Sequence, residues 1–309
     1  MTDHPIRTEM VEANGLTFEV DMCGGGDKFA LCLHGFPEHS FSWRYQLPLL
    51  ASLGYTVWAP NQRGYGKSSR PKGVENYAIE HLLADAAGLI DASGFKDITL
   101  IGHDWGAVVS WAFAIQQVRP LTRLVIMNVP HPAPFIETIQ NSKEQRRKSW
   151  YIRFFQIPWL PEFLLGLGNA KRVGAAFSGM ARDKTNFGPD VIQVYRDNAA
   201  QPGALTAMIN WYRANFSDKG GLSSMVDGQV PVIETPTLML WGEADDALGK
   251  ETTLGTEQYV QDFTIRYLPG VSHWVQQEAP EAVNAALEAW LTGQPIPEKA
   301  PDGRALNPS

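Results

Sequence analysis

The chain has only two cysteines, Cys23 and Cys32, and neither stands in a CxxC pair. Two thiols cannot staple 309 residues, so both read as reduced and the protein as cytoplasmic. Long apolar runs are also missing. No stretch approaches the roughly 18 consecutive apolar residues of a membrane-spanning helix. The start, MTDHPIRTEMVE, is polar and acidic and lacks the apolar segment of a secretory leader. Charged residues make up only 19% and leave a net charge of −7. The one dense basic cluster, Lys143, Arg146, Arg147 and Lys148, reads as a solvated helix face, so neither nucleic acid nor membrane is expected as a partner. What the chain does have is 44% apolar residues, enough for a large core and incompatible with a disordered chain.

Organisation follows from periodicity. Asn14-Gly15 lies between two β-like runs and signals a hairpin. Short apolar runs without alternation then recur at 29–33, 56–59, 98–101, 124–127, 237–240 and 264–267. Such runs suit strands buried on both faces of a parallel sheet. Helical patterns separate them at 77–93, 105–117 and 281–291. Strand and helix in alternation predict an α/β fold with a mostly parallel, doubly wound sheet. The alternation fails over 133–230, where the text is aromatic and helical patches appear at 149–156 and 204–216. We read residues 1–132 and 231–293 as the α/β core, 133–230 as a helical cap inserted between core strands, and 294–309 as a poorly ordered tail. A cap placed beyond the strand ends would cover the sheet's carboxyl edge, where α/β proteins bind ligands.

The strongest chemical signal is Ile101-Gly102-His103-Asp104-Trp105-Gly106. A buried strand runs through small–x–Asp–x–small directly into a helix. This is the nucleophile-elbow pattern with Asp in the nucleophile's place. Small neighbours permit a turn tight enough to hold the side chain clear of the backbone, and the helix dipole favours its ionised form. An acid and a base follow at the ends of later strands. Asp245 and Asp246 stand in WGEADD after the 237–240 run, and His273 stands in GVSHW after the last. Either carboxylate could orient the histidine. The chain order is nucleophile, acid, base. The loop HGFPE at 34–38 should expose the N–H of Phe36 as one oxyanion donor, with the N–H of Trp105 as the other. Two near-motifs carry nothing. GYGKS at 64–68 lacks the glycine a phosphate loop would need at Asn61, and His34 and His39 have no third ligand in range, so no metal or other cofactor is expected.

With these residues in place the chain resembles an α/β-hydrolase-fold epoxide hydrolase of the soluble type, without an N-terminal phosphatase domain. The resemblance spans nearly the whole chain through HGFPE at 34–38, RGYGKS at 63–68, GHDWG at 102–106, WGEADDALG at 241–249 and GVSHWVQQEAP at 270–280. It implies that Asp245 rather than Asp246 orients His273, through the family's Trp-Gly-x-x-Asp spacing. It further implies two cap tyrosines on the epoxide oxygen: Tyr151, in YIRFFQ, and Tyr212, in NWYR.

The implied reaction is attack of Asp104 on an epoxide carbon, proton donation by Tyr151 and Tyr212, and hydrolysis of the resulting ester by water that His273 activates. Phe36, Trp105, Phe135, Phe155 and Trp274 are the expected substrate-binding residues, with Trp43, Phe154, Trp159 and Phe177 as further wall candidates. The expected partners are a small apolar or aromatic epoxide and water, in a monomer or homodimer. A haloalkane dehalogenase would use the same Asp–His–Asp set but needs a second N–H donor for the halide, which the side chain of Phe36 cannot supply. A non-catalytic binding protein would normally show a broken triad.

Overall fold

Asn14 and Gly15 take left-handed backbone conformations (φ 50° and 70°), as a two-residue hairpin turn demands. They join β1 (Arg7–Ala13) to β2 (Leu16–Gly24) in an antiparallel pair. In this computed structural model, residues 4–216 and 230–308 are described. The remaining strands are β3 (Lys28–Leu33), β4 (Tyr55–Pro60), β5 (Ile98–His103), β6 (Arg123–Met127), β7 (Thr237–Gly242) and β8 (Phe263–Leu268). All eight form one sheet in the order β1-β2-β4-β3-β5-β6-β7-β8. β2 pairs antiparallel with β4, and every pair from β4 to β8 is parallel.

The unalternating apolar runs serve two cores at once. Leu31, Leu33, Leu124 and Ile126 belong to one core, while Ala30, Cys32, Val125 and Met127 belong to the other. Because strand side chains point alternately to opposite faces, a strand covered on both sides must be apolar at every position. The helices that cover them are α1 (Gln46–Ser52), α2 (Ile79–Ser93), α3 (Trp105–Ile115), and later α11 (Pro280–Leu291). α2 starts two residues after the expected 77, because Ala78 is extended; it stops at Gly94, whose φ of 74° no ordinary helical residue adopts.

Between β6 and β7 the chain builds the cap: α4 (Pro132–Asn141), α5 (Lys143–Lys148), α6 (Trp150–Phe155), α7 (Leu160–Met180), α8 (Pro189–Ala199) and α9 (Ala204–Asn215). Side chains separate the short helices: His131 caps α4 and Ser142 caps α5. α7 is broken from Leu167 to Ala170, where three residues take positive φ. Part of the expected cap, residues 217–229, lies outside the described residues. A short α10 (Val275–Glu278) precedes α11.

One expectation fails. The tail was expected to be poorly ordered, yet it folds back on the sheet. Leu306 is fully buried, and Tyr267 on β8 exchanges two backbone hydrogen bonds with Asn307, of 2.8 and 2.9 Å. Apart from its prolines and glycine, the tail carries an apolar anchor in Leu306, which composition alone outweighed. Among the described residues, no helix is long and apolar enough to cross a membrane.

Candidate active site

β5 delivers Asp104 to the carboxyl edge of the sheet. Its backbone sits at φ 48°, ψ −123°, a strained conformation for a residue with a Cβ. The neighbours explain how the turn closes. A Cβ on Gly106 would run into the carbonyls of Leu33 and His34, and one on Gly35 into the Asp104 side chain. The close approach of β3's loop, the elbow and the start of α3 therefore requires glycine at both positions. The Asp104 side chain is 15% exposed, and what it faces is a cavity.

Its two oxygens have different partners. The Phe36 N–H donates to Oδ1 at 2.6 Å, and Oδ2 lies 3.3 Å from Nε2 of His273. The other imidazole nitrogen, Nδ1, is 2.6 Å from Oδ2 of Asp245. Asp245 is saturated with donors: Asn128 Nδ2 at 2.9 Å and the N–H groups of Ala247 and Leu248 at 2.7 and 3.0 Å. Asp246 instead points outward and pairs with Arg182 at 2.6 Å. The adjacent carboxylates are thus separated by environment, and the one after the Trp-Gly-x-x spacing faces the histidine.

Burial disfavours the charged form of His273, but the carboxylates of Asp245 and Asp104 outweigh it and hold the imidazole pKa well above its ordinary value. Burial likewise works to raise Asp104 and Asp245. Their contacts with His273, together with the Phe36 N–H on Asp104 and Asn128 on Asp245, bring both below the usual carboxylate value.

Behind this row lies a second buried pair. Glu38 Oε2 is 2.7 Å from His103 Nδ1, and His103 Nε2 is 2.8 Å from the His273 carbonyl oxygen. The same carboxylate accepts from the Gly35 N–H at 2.8 Å and from Gln276 and Gln277 at 2.9 Å each. One side chain therefore ties together the loop bearing Phe36, the elbow bearing Asp104 and the loop bearing His273.

The cap contributes from above. Tyr151 on α6 and Tyr212 on α9 pack edge to face with ring centroids 5.9 Å apart, and both line the cavity that Asp104 faces. Burial, then the Asp104 charge, pushes both phenol pKa values well above the ordinary value. The cavity encloses about 310 Å³ and continues over Trp105, Phe135, Ile136, Ile139 and Phe216.

Comparison with known proteins places the chain in a family. A family model described as alpha/beta hydrolase fold matches residues 31–280. Epoxide hydrolase 2 of Caenorhabditis elegans is 36% identical over 84% of this chain and 73% of its own length. Human epoxide hydrolase 4 is 36% identical over 91% of this chain and 78% of its own. The chain belongs to the epoxide hydrolases. The crystal structure of a Bacillus megaterium epoxide hydrolase in complex with an inhibitor superposes with a TM-score of 0.83 at 28% identity, over 92% of this chain and all of that one.

Not every expected wall residue of this epoxide hydrolase reaches the cavity. Trp105 and Phe135 line it; Phe36, Phe155 and Trp274 do not. Phe155 is wedged among the rings of Phe36, Tyr151 and Tyr212. Trp274 packs at a tilt against Phe177, which in turn stacks on Tyr195. Trp43 fills the core on the sheet's other face, Phe154 packs against Trp150 and Phe155, and Trp159 is 72% exposed. These corrections share a cause: an aromatic side chain looks the same in sequence whether it walls a cavity, fills a core or faces solvent. Asn128, Glu38 and His103 were given no role by the sequence reading. Asn128 had a signal, a polar side chain directly after a core strand, and its φ of 47° is one that Asn tolerates. Glu38 and His103 lay inside motifs read for their neighbours. Among the described residues, no three His, Cys, Asp or Glu side chains gather to hold a metal ion.

Proposed function

We propose that the hydrolase opens small, neutral, apolar or aromatic epoxides to vicinal diols through an ester on Asp104. The observation that carries this reading is the division of labour between the two oxygens of Asp104. Oδ1 is held by the Phe36 N–H, so Oδ2 is left to attack a ring carbon. Attack forms the Oδ2–carbon bond and breaks the ring carbon–oxygen bond, and the emerging alkoxide takes a proton from Tyr151 or Tyr212. A phenol suits that task because it stays protonated at neutral pH and its positioned O–H can donate as the alkoxide forms.

Ester formation then changes the electrostatics. The Asp104 charge disappears, and with it one of the two carboxylates that hold the proton on His273. The proton becomes releasable, which balances the one handed to the alkoxide. Neutral His273, oriented by Asp245, takes a proton from water as that water attacks Cγ of Asp104. The developing charge falls on Oδ1, where the Phe36 N–H already waits. The Trp105 N–H, in the first turn of α3 and hence without an intrahelical acceptor, is the second donor. Collapse breaks the Cγ–Oδ2 bond, and the leaving oxygen takes the proton of the new Cγ hydroxyl. The diol departs with Oδ2, while the water oxygen stays in the carboxylate and His273 keeps the proton it took from water. The scheme uses only side chains, backbone donors and water. A departing halide needs no proton, so two phenols placed to give one serve an epoxide oxygen better than a halide, and the reading as a dehalogenase is weaker for it. Two buried free thiols, Cys23 and Cys32, support a reducing, cytoplasmic setting.

The test is a single turnover with excess enzyme in ¹⁸O-water. Unlabelled diol and a labelled Asp104 peptide are expected. Labelled diol with an unlabelled Asp104 peptide would mean direct attack by water and would remove Asp104 as the nucleophile.

A further inference from the structure

The cavity is walled by the segment after β6, by α3 and by the cap, and by no residue of the loop after β3. β5, which carries Asp104, lies between β3 and β6. The cavity walls beyond the elbow are Val129, Pro130 and Pro132, which follow β6, and then Phe135, Ile136 and Ile139 on α4. All of this is on the β6 side. The loop after β3 occupies the other side with Phe36. Phe155 closes over it, its ring 5.2 Å from Phe36 and 4.8 Å from Tyr212, and only 5% exposed.

The open side is also uniform in chemistry. Apart from the two phenols, its polar lining residues are Asp104 and Asn215. Asn215 is already engaged: its amide nitrogen donates to the carbonyls of Tyr77 and Trp211, and its oxygen accepts from the Ile79 N–H. A charged or strongly polar substituent would therefore be buried without a partner, and an anionic one would also face Asp104.

We infer that the hydrolase takes terminal epoxides bearing one neutral apolar arm, with Phe155 the residue that excludes a second substituent. The arm fills the β6 side, and the unsubstituted ring carbon faces Phe36 and Phe155. A 2,3-disubstituted epoxide would have to drive its second arm into that ring cluster. This inference rests on the proposed placement of the epoxide between Asp104 and the tyrosines.

The test compares two isomers, 1,2-epoxyoctane and trans-4,5-epoxyoctane, by diol formation. For the native enzyme kcat/KM should favour the terminal isomer by about 100-fold or more, the upper range of what a packed apolar wall can discriminate. In Phe155→Ala the ratio should shrink by about tenfold or more, through faster turnover of the disubstituted isomer. Phe155→Leu serves as a second variant with less lost volume. Equal kcat/KM for the two isomers in the native enzyme would overturn the inference while leaving the hydrolase reading intact. A high native ratio that neither variant changes would remove Phe155 from the role. Turnover of neither isomer, with no ester on Asp104, would overturn the proposed function itself and this inference with it.

Discussion

His273 and Asp245 share a 2.6 Å contact between Nδ1 and Oδ2, and Asn128 fixes the same carboxylate oxygen from its other side at 2.9 Å. The imidazole is thus held with Nε2 toward Asp104. Asp245→Asn keeps the shape but removes the charge that most raises the His273 pKa. Two effects should follow. Ester hydrolysis should slow by about 10²- to 10⁴-fold, the range for losing the orienting carboxylate of a triad. The acid limb of its pH profile should move to lower pH, because the base is the neutral imidazole and its pKa falls. Stopped-flow or quenched-flow kinetics across pH reads both, and an acid limb that stays in place would disconnect Asp245 from His273.

Replacing the base separates the two chemical steps. In His273→Gln the ester should form and persist. Intact-mass measurement after adding an aryl epoxide should show one substrate mass gained, mapped by peptide analysis to Asp104. An adduct on any other residue would reassign the nucleophile.

The tyrosines should act as a pair. Tyr151→Phe and Tyr212→Phe each remove one donor and keep the ring packing. Each should slow ring opening by about 10- to 1,000-fold, and the double variant should nearly abolish it. Because burial and the Asp104 charge push both phenols up, they stay protonated well into the alkaline range, so ring opening should show no alkaline loss near pH 10. Full activity in the double variant would end the role of the cap tyrosines.

Glu38 offers a test of stability rather than chemistry. Its carboxylate is completely buried and accepts from Gly35, His103, Gln276 and Gln277. Glu38→Gln places an amide donor among these donors and should lower unfolding stability by about 1–3 kcal/mol, the usual cost of leaving buried polar groups without their partner. Burial acts to raise the Glu38 pKa, but His103 and the Gly35 N–H lower it below the ordinary value. A depressed carboxylate contributes stability that is complete above its unfolded pKa and is lost as pH falls through the folded one. Denaturant melts below about pH 4.5 should therefore show the native protein losing stability that the variant no longer has to lose. Parallel curves would refute this.

The fold and the reacting groups were legible because their signals are local. Each parallel strand centres on a short apolar run, and Asp104, Asp245 and His273 lie just past the ends of β5, β7 and β8, so parallel strands alone bring them to one edge. The Asn14-Gly15 turn was legible for the same reason. What surrounds the chemistry was not. Whether Phe155 lines a cavity or plugs it depends on α6 meeting α9 and the loop after β3, contacts between segments far apart in sequence. The Glu38–His103 pair is equally non-local, joining residues 65 positions apart. Leu306 shows the converse: one buried side chain at the end of a polar stretch outweighs its composition.

That buried leucine also bears on how the protein behaves in company. β8 ends the sheet, and a free edge strand is a template on which other chains can add. Here the backbone at Asn307 already occupies Tyr267 on that strand. The opposite edge, β1, is guarded differently, by exposed Arg7, Glu9 and Glu12. One rim of the sheet is interrupted by pairing at Tyr267 and the other carries charge, and both discourage edge-to-edge growth. Removing residues 299–307 would free the backbone of Tyr267 and lengthen the seam that β8 offers to a neighbouring chain.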